Sequence, residues 1–299
     1  EQQHPTLKNR DGVRKNKTLG KRPQPKDRKA SLQETRDKKM ARSAHAYVRG
    51  NTAKFYEWLD EKPDHNLPVG PAVWICGDCH VGNLGPVANT QGKIDIQIRD
   101  LDQTVIGNPA HDLIRLGLSL ATAARGSDLP GIITAQMMEQ LMLGYEHAFD
   151  DEEIDKEPIA SPASIKVTMR KAGRRTWKKL AEERIADTAP HIPLGKCFWP
   201  LSKEENIAIK TLFEKKTVSH LANSLSHRDD SASIEVLDAA YWVKGCSSLG
   251  RLRYAVLLDV GKNASDGKDL CLMDIKEAVI AAAPRQAGGR QAAGANSPP

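Results

Sequence analysis

The stretch from Ala72 to Leu118 constrains this chain more than any other, because it sets carboxylates directly after two short apolar runs. Ala72 to Ile75 reads as a buried strand. Lys93 to Arg99 alternates Ile94, Ile96 and Ile98 with Asp95, Gln97 and Arg99, the period of two expected of a half-buried strand. Asp78 and Asn83 follow the first run, and Asp100 and Asp102 follow the second. Polar groups carried on strand ends are held better than groups on free loops, so these four are the first candidates for chemistry. Asp112 then stands where it would cap the apolar helix that follows it.

The segment Gly77 to Asn83 reads GDCHVGN. Phosphoryl transfer needs a carboxylate near the attacking hydroxyl and an oxygen donor for magnesium, and the D-x-x-x-x-N spacing of a kinase catalytic loop is met by Asp78 and Asn83. A further carboxylate from another strand must hold the ion, a role Asp100 fits, with Asp102 beside it. His80 can either touch a substrate oxygen or shape its own turn. The same segment contains Cys76-Gly-Asp-Cys79-His80, which matches a haem-attachment pattern. A buried strand running straight into its first cysteine, a single copy and no export signal argue against that use. Cys197, Cys246 and Cys271 supply no second pair for zinc.

Further along, Lys244 to Gly250 reads KGCSSLG between two β-rich runs, so Gly245, Ser247, Ser248 and Gly250 can form a turn over phosphates. Lys276 in DIKEA stands where a strand lysine would pair with them. Arg49 lies between two helical patterns and is a candidate anion ligand.

The rest of the chain frames these motifs. Ser31 to about Glu61 is helical, with Met40, Ala44 and Tyr47 in register and a second helix after Asn51. Pro130 opens a helix whose Met and Leu stripe is expected in the core. Residues 150–163 read as an acidic loop, 164–187 as a basic solvated helix, and Ser202 with Glu205 as a capping box. From about Ala239 three strands follow. Four regions result: a disordered basic tail (1–30), a mainly helical catalytic-loop lobe (31–232), a partial β-rich lobe (233–283) and a low-complexity tail (284–299). Three strands with nothing after them are poorly self-sufficient, so the second lobe is expected to be C-terminally incomplete.

Composition settles partners and compartment. The net charge is +6, but residues 1–30 carry +7 and the remainder −1, which argues against specific nucleic-acid binding by the body. No run of 18 apolar residues is present, so no membrane span is expected. Five cysteines at irregular spacing make no disulfide framework, which fits a cytoplasmic protein.

Taken together, KMARSAHAYVRG, GDCHVGNLG, IRDLDQTVIGNPAHDLIRL and KGCSSLGRLRYAVLL with IKEA resemble the bacterial domain-of-unknown-function 2252 family over roughly residues 31–283. That family's motifs are similar to those of aminoglycoside phosphotransferases and other kinase-like enzymes. The resemblance implies an α+β, protein kinase-like fold with its lobes in permuted order, the helical lobe first and the small antiparallel sheet second. It implies Asp78 as the catalytic-loop base, Asn83 and Asp100 as magnesium ligands, and Asp112 as a structural aspartate. The expected activity is transfer of a phosphoryl group from Mg-ATP to a small-molecule hydroxyl. Two other classes use the same residues: nucleotide binding without turnover, and a metal-dependent phosphoester hydrolase built on Asp78, His80, Asn83 and Asp102.

Overall fold

Three short helices, α1 (Arg28–Met40), α2 (Ala44–Gly50) and α3 (Thr52–Asp60), open the fold in a computed structural model, which describes residues 22–61, 67–68, 70–89, 93–149, 167, 191–224, 231–261 and 270–286. The helical stretch expected from Ser31 is broken by local capping. Ser43 accepts a hydrogen bond from the Ala46 amide at 3.1 Å, and Asn51 accepts one from Lys54 at 3.3 Å, so each side chain starts a new helix. The first helix also begins earlier than expected. Arg28 is buried, with its guanidinium on Glu205 at 2.6 Å and on the Pro200 carbonyl at 2.9 Å, and it lies over the Tyr241 ring. Residues 22–30, expected in the tail, therefore belong to the fold.

The two runs that frame the central motif each form half of a two-stranded antiparallel sheet. β1 (Val73–Ile75) pairs with β4 (Val105–Gly107), and β2 (Leu84–Ala88) pairs with β3 (Ile94–Ile98). β3 alternates as its sequence predicts, but β1 is not a buried strand: Val73 and Trp74 are exposed and Ile75 alone faces the core. An edge pair of three residues has no second layer over its outer face. Ile75 packs with Phe55 and Tyr56 of α3.

α4 (Pro109–Gly126) follows β4 and packs on α2 and on α5 (Gly131–His147). Asn108 caps α4 by accepting from the Ala110 amide at 3.0 Å. Asp112 is not the cap; it lies one turn inside the helix. The methionine and leucine stripe of α5 is likewise not core. No residue of α5 is fully buried; Met138 meets α4 at Gly117, while Met142 and Leu143 stay largely exposed.

The second half is a four-stranded antiparallel sheet in the order β5 (Phe198–Trp199), β6 (Ser233–Trp242), β7 (Arg253–Gly261), β8 (Leu270–Lys276). It has one strand more than the sequence indicated, and β6 starts six residues before the expected Ala239, because its outer half alternates polar and apolar residues. Ala255, Val256 and Leu258 of the central β7 are fully buried. On one face Ile209 and Phe213 of α6 (Lys203–Phe213) and Ala222 of α7 (Lys216–Asn223) cover Val256, Leu258 and Val260. The predicted capping box at Ser202 and Glu205 is present in both directions. The acidic loop at 150–163 and, apart from Val167, the basic helix at 164–187 lie outside the described residues, as do 1–21 and 287–299.

The two halves meet where Leu32 of α1 packs with Tyr241 and Leu249. Gly50 makes a second junction: a Cβ there would stand 2.9 Å from the Cys246 sulfur and closer still to Met40. α2 is thereby fixed against the Lys244 to Gly250 hairpin.

Candidate functional site

The GDCHVGN loop is held from beneath by one stripe of α4. Asp112, Arg115 and Ser119 recur at three and four residues, which puts them on a single helix face. Asp112 accepts hydrogen bonds from the Cys76 and Gly77 amides at 2.6 and 3.0 Å. Burial raises its carboxyl above the usual carboxylate range, and those two amide bonds oppose the shift. Ser119 accepts from the Val81 amide at 2.9 Å. Arg115 is completely buried and donates through Nε to Asp78 Oδ1 at 2.9 Å, with a second contact through Nη2. The Thr52 hydroxyl donates to the same oxygen at 2.8 Å. Asp78 Oδ1 is thus fully engaged, while Oδ2 lies 3.8 Å from His80 Nε2.

Gly77 is required by this arrangement. Its φ is 72°, and a Cβ would come within 2.2 Å of the Gln103 carbonyl oxygen, so the loop lies directly on the turn that follows β3. Gln103 fixes that turn in its own right, donating to the Asp102 carbonyl and accepting from the Ala282 amide.

Asn83 and Asp100 come to the same edge through sheet register. Leu84 pairs with Ile98, and the Arg99 amide donates to the Asn83 carbonyl at 2.8 Å, so Asn83 stands across from the residue before Asp100. The Asn83 side-chain nitrogen donates to the Asp78 carbonyl at 3.0 Å, which leaves its amide oxygen for another partner. Asp100 receives Lys276 Nζ at 2.8 Å, a contact across 176 positions of sequence. Burial raises the Asp100 carboxyl, but Lys276 and Asp102 together hold it below its ordinary value. Asp102 goes the other way, raised by burial and then by the Asp100 charge, with Arg251 3.8 Å away. A groove of about 780 Å³ opens beside Asp102 and Lys276, walled by Trp74, Leu101, Val279 and Ile280.

The hairpin residues are engaged in building the turn. Gly245 and Gly250 have φ of 81° and 91°, values that favour glycine. The Ser248 hydroxyl donates to the Lys244 carbonyl at 2.8 Å and accepts from Arg253 at 3.2 Å. Ser247 is half-buried beside it. Arg253 is paired with Lys276 in register and bridges to Asp274.

Arg49, the candidate anion ligand between the helices, lies beside the GDCHVGN loop. A Cβ on Gly82 would be 3.0 Å from Arg49 Nε and 3.1 Å from His80 Nδ1. His80 is 2% exposed and does not shape its turn through Nδ1, which has no hydrogen-bond partner; Ser119 and Asp112 hold the loop instead. Burial pushes the His80 imidazole down to about 4, aided by Arg115, Arg49 and His45 and opposed by Asp78. The unfolded chain, titrating near 6.5, binds a proton that folded His80 refuses. The stability due to neutral His80 is therefore complete above that value and falls as acid approaches 4, with a limiting slope of about 1.4 kcal/mol per pH unit. Urea unfolding at neutral and mildly acidic pH is expected to show a smaller acid loss in His80→Gln than in the parent. Equal losses would mean that His80 is not the group responsible.

Comparison with known proteins matches residues 28–297 to the family described as an uncharacterized protein conserved in bacteria (DUF2252). The chain belongs to the DUF2252 family. Nothing among curated proteins and nothing among solved structures matches it. The match reaches beyond the span of 31–283 that the four motifs cover.

In this DUF2252 chain the described residues contain no cluster of three His, Cys, Asp or Glu side chains able to hold a metal. Cys76 and Cys79 are free and buried, and Cys76 Sγ points to the Asp100 carbonyl. No described helix is long and apolar enough to cross a membrane. The donor set at Asp100, Asp102 and the Asn83 amide nevertheless suits magnesium, which commonly takes one or two carboxylates and completes its shell with phosphates and water.

Sequence reasoning missed Thr52, Arg115 and Ser119. The signal was present for two of them, since Asp112, Arg115 and Ser119 form a polar line along an otherwise apolar helix, and a buried polar line must face something polar. Thr52 carried no signal, because its pairing with Asp78 is a matter of helix placement.

Proposed function

We propose that this DUF2252 protein is a kinase-like phosphotransferase that uses Mg-ATP and a small-molecule hydroxyl acceptor. The observation that carries the reading is the contact between Lys276, at the end of β8, and Asp100, at the end of β3. A strand lysine and a strand-end aspartate are the two groups that kinase chemistry needs side by side, one for the phosphates and one for the metal that bridges them. The halves carrying them occur in the reverse of the usual kinase order, which corresponds to a permuted kinase-like fold.

In this reading Asp78 Oδ2 orients the acceptor hydroxyl and takes its proton, while Arg115 and Thr52 fix the carboxylate through Oδ1. Asp100, Asp102 and the Asn83 amide oxygen hold magnesium, which when bound neutralises charge on the β and γ phosphates. Lys276 pairs with those phosphates. The Gly245 to Gly250 hairpin offers backbone amides above them, and the groove walled by Trp74, Leu101 and Ile280 has a mixed polar and apolar lining and a volume suited to a nucleoside.

Thermal unfolding of the full chain with ATP, with magnesium and with both is the test. Joint addition is expected to raise the melting temperature, and the rise is expected to vanish in Asp100→Ala, because ligand binding stabilises only the folded state. No joint effect in the parent chain would refute nucleotide use. A joint effect without ATP consumption, with acceptors supplied, would leave a nucleotide-binding protein in place of an enzyme.

A further inference from the structure

The chain leaves the four-stranded sheet after Lys276 and crosses to the β1–β4 pair through residues 277–286. Both ends of this crossing are tied down. At its start the Glu277 amide donates to the Leu252 carbonyl at 2.8 Å, and the Glu277 carboxylate accepts from the Leu252 amide at 2.8 Å. At its far end the Ala282 amide donates to the Gln103 side chain at 3.0 Å, and the Gln286 amide donates to the Ile106 carbonyl at 3.1 Å. Ala283 is buried there against Phe55, Tyr56 and Ile75. Between the ties, the peptide groups of residues 278–281 have no hydrogen-bond partner among the described residues. They form one wall of the groove of about 780 Å³. Donors and acceptors fixed in a groove wall, and not used within the chain, are available to a ligand.

The same groove is walled by Trp74 and Leu101, which are 44% and 45% exposed. Large apolar side chains gathered at one concavity mark a binding surface. Asp102 and Lys276 line it as well, so apolar walls and a charged end are continuous. A ligand that meets all three features has flat apolar faces, a hydrogen-bonding edge and an anionic group.

We propose that residues 278–281 and Trp74 form the base-binding part of the nucleotide site, with a purine edge on the free peptide groups and a purine face against the indole. Its two fused rings cover more of Trp74 and Leu101 than a pyrimidine would. An added peptide strand fits less well, because the ties at Glu277 and Ala282 limit the free edge to four residues, against about 5–6 in an ordinary strand. Placing the nucleotide phosphates at Lys276 rests on the phosphotransferase reading; the base site does not.

The test is calorimetric titration of the full chain with ATP, CTP, inorganic tripolyphosphate and purine riboside triphosphate, each with magnesium, and with adenosine alone. ATP is expected to bind about tenfold or more tightly than tripolyphosphate, and more tightly than CTP. Purine riboside triphosphate, which lacks the amino group, is expected to bind several-fold more weakly than ATP. Trp74→Ala is expected to weaken ATP and adenosine about tenfold and to leave tripolyphosphate unchanged, with Trp74→Phe recovering part of the loss. Unchanged tripolyphosphate binding and circular dichroism show that the variants are folded. Tripolyphosphate binding as tightly as ATP, or equal ATP binding by the parent and Trp74→Ala, would overturn the base site and leave the phosphate contacts at Lys276 standing. Equal binding of CTP would overturn the purine assignment, and equal binding of the riboside would overturn the edge pairing. Adenosine binding that depends on Trp74 in a chain that binds no tripolyphosphate would keep the base site and remove the phosphotransferase reading. No binding of any of the five would overturn both.

Discussion

Arg115→Met is expected to destabilise the chain by about 3–5 kcal/mol, the cost of leaving a buried charge without its partner. Arg115 has no exposed surface, lies over the Phe55 ring, and holds Asp78, the Val48 carbonyl and Thr52 together. Methionine would fill much of the volume but strand the Asp78 carboxylate among apolar and neutral groups. Asp78→Asn in the same chain removes that charge, so the double variant is expected to be less destabilised than the sum of the single ones. Urea denaturation of the four chains measures both quantities. A loss below about 1 kcal/mol for Arg115→Met would show that the pair is not what fixes the loop. The comparison also separates two roles of Asp78, because a carboxylate that anchors a helix and one that orients a hydroxyl fail differently. Asp78→Asn with Arg115 intact should weaken both fold and turnover.

Asp100→Asn and Lys276→Met form the contrasting case. Each is expected to lower ATP turnover on the order of 10²–10³-fold or more, by removing a charge aimed at the transferring phosphoryl group. Stability should change by less than about 1 kcal/mol, because both side chains are partly exposed, at 29% and 24%. Released ADP, followed in the same preparations used for urea unfolding, reads both effects. Unchanged ATP consumption in both variants would remove the Lys276–Asp100 contact from catalysis and return it to a surface ion pair.

Much of the frame was legible because it is encoded locally. The alternation of Ile94, Ile96 and Ile98, the Ser202 and Glu205 capping box and the strand ending at Lys276 each depend on residues a few positions apart. The misreadings have equally specific causes. Ala72 to Ile75 is apolar enough for a core strand, but its sheet has only β4 beside it and no layer above Val73 and Trp74. Asp112 has the composition of a cap, yet Asn108 occupies that position, and a carboxylate one turn inside a helix is free to serve the Cys76–Gly77 segment beside it. The α5 stripe is apolar at helical spacing, and spacing does not say whether a partner arrives.

The sequence by itself singled out the candidate residues and most of the helices and strands, since both follow from side-chain type and short-range periodicity. The tertiary structure alone decided which of them meet. Asp78 finds Arg115 at a separation of 37 residues and Asp100 finds Lys276 at 176. Closing such loops depends weakly on what lies between their ends, so no local pattern marks the partner. It is fixed instead by how α4 packs beneath the loop and how the four-stranded sheet and its hairpin dock on α1 and α2, where buried area and shape select one arrangement.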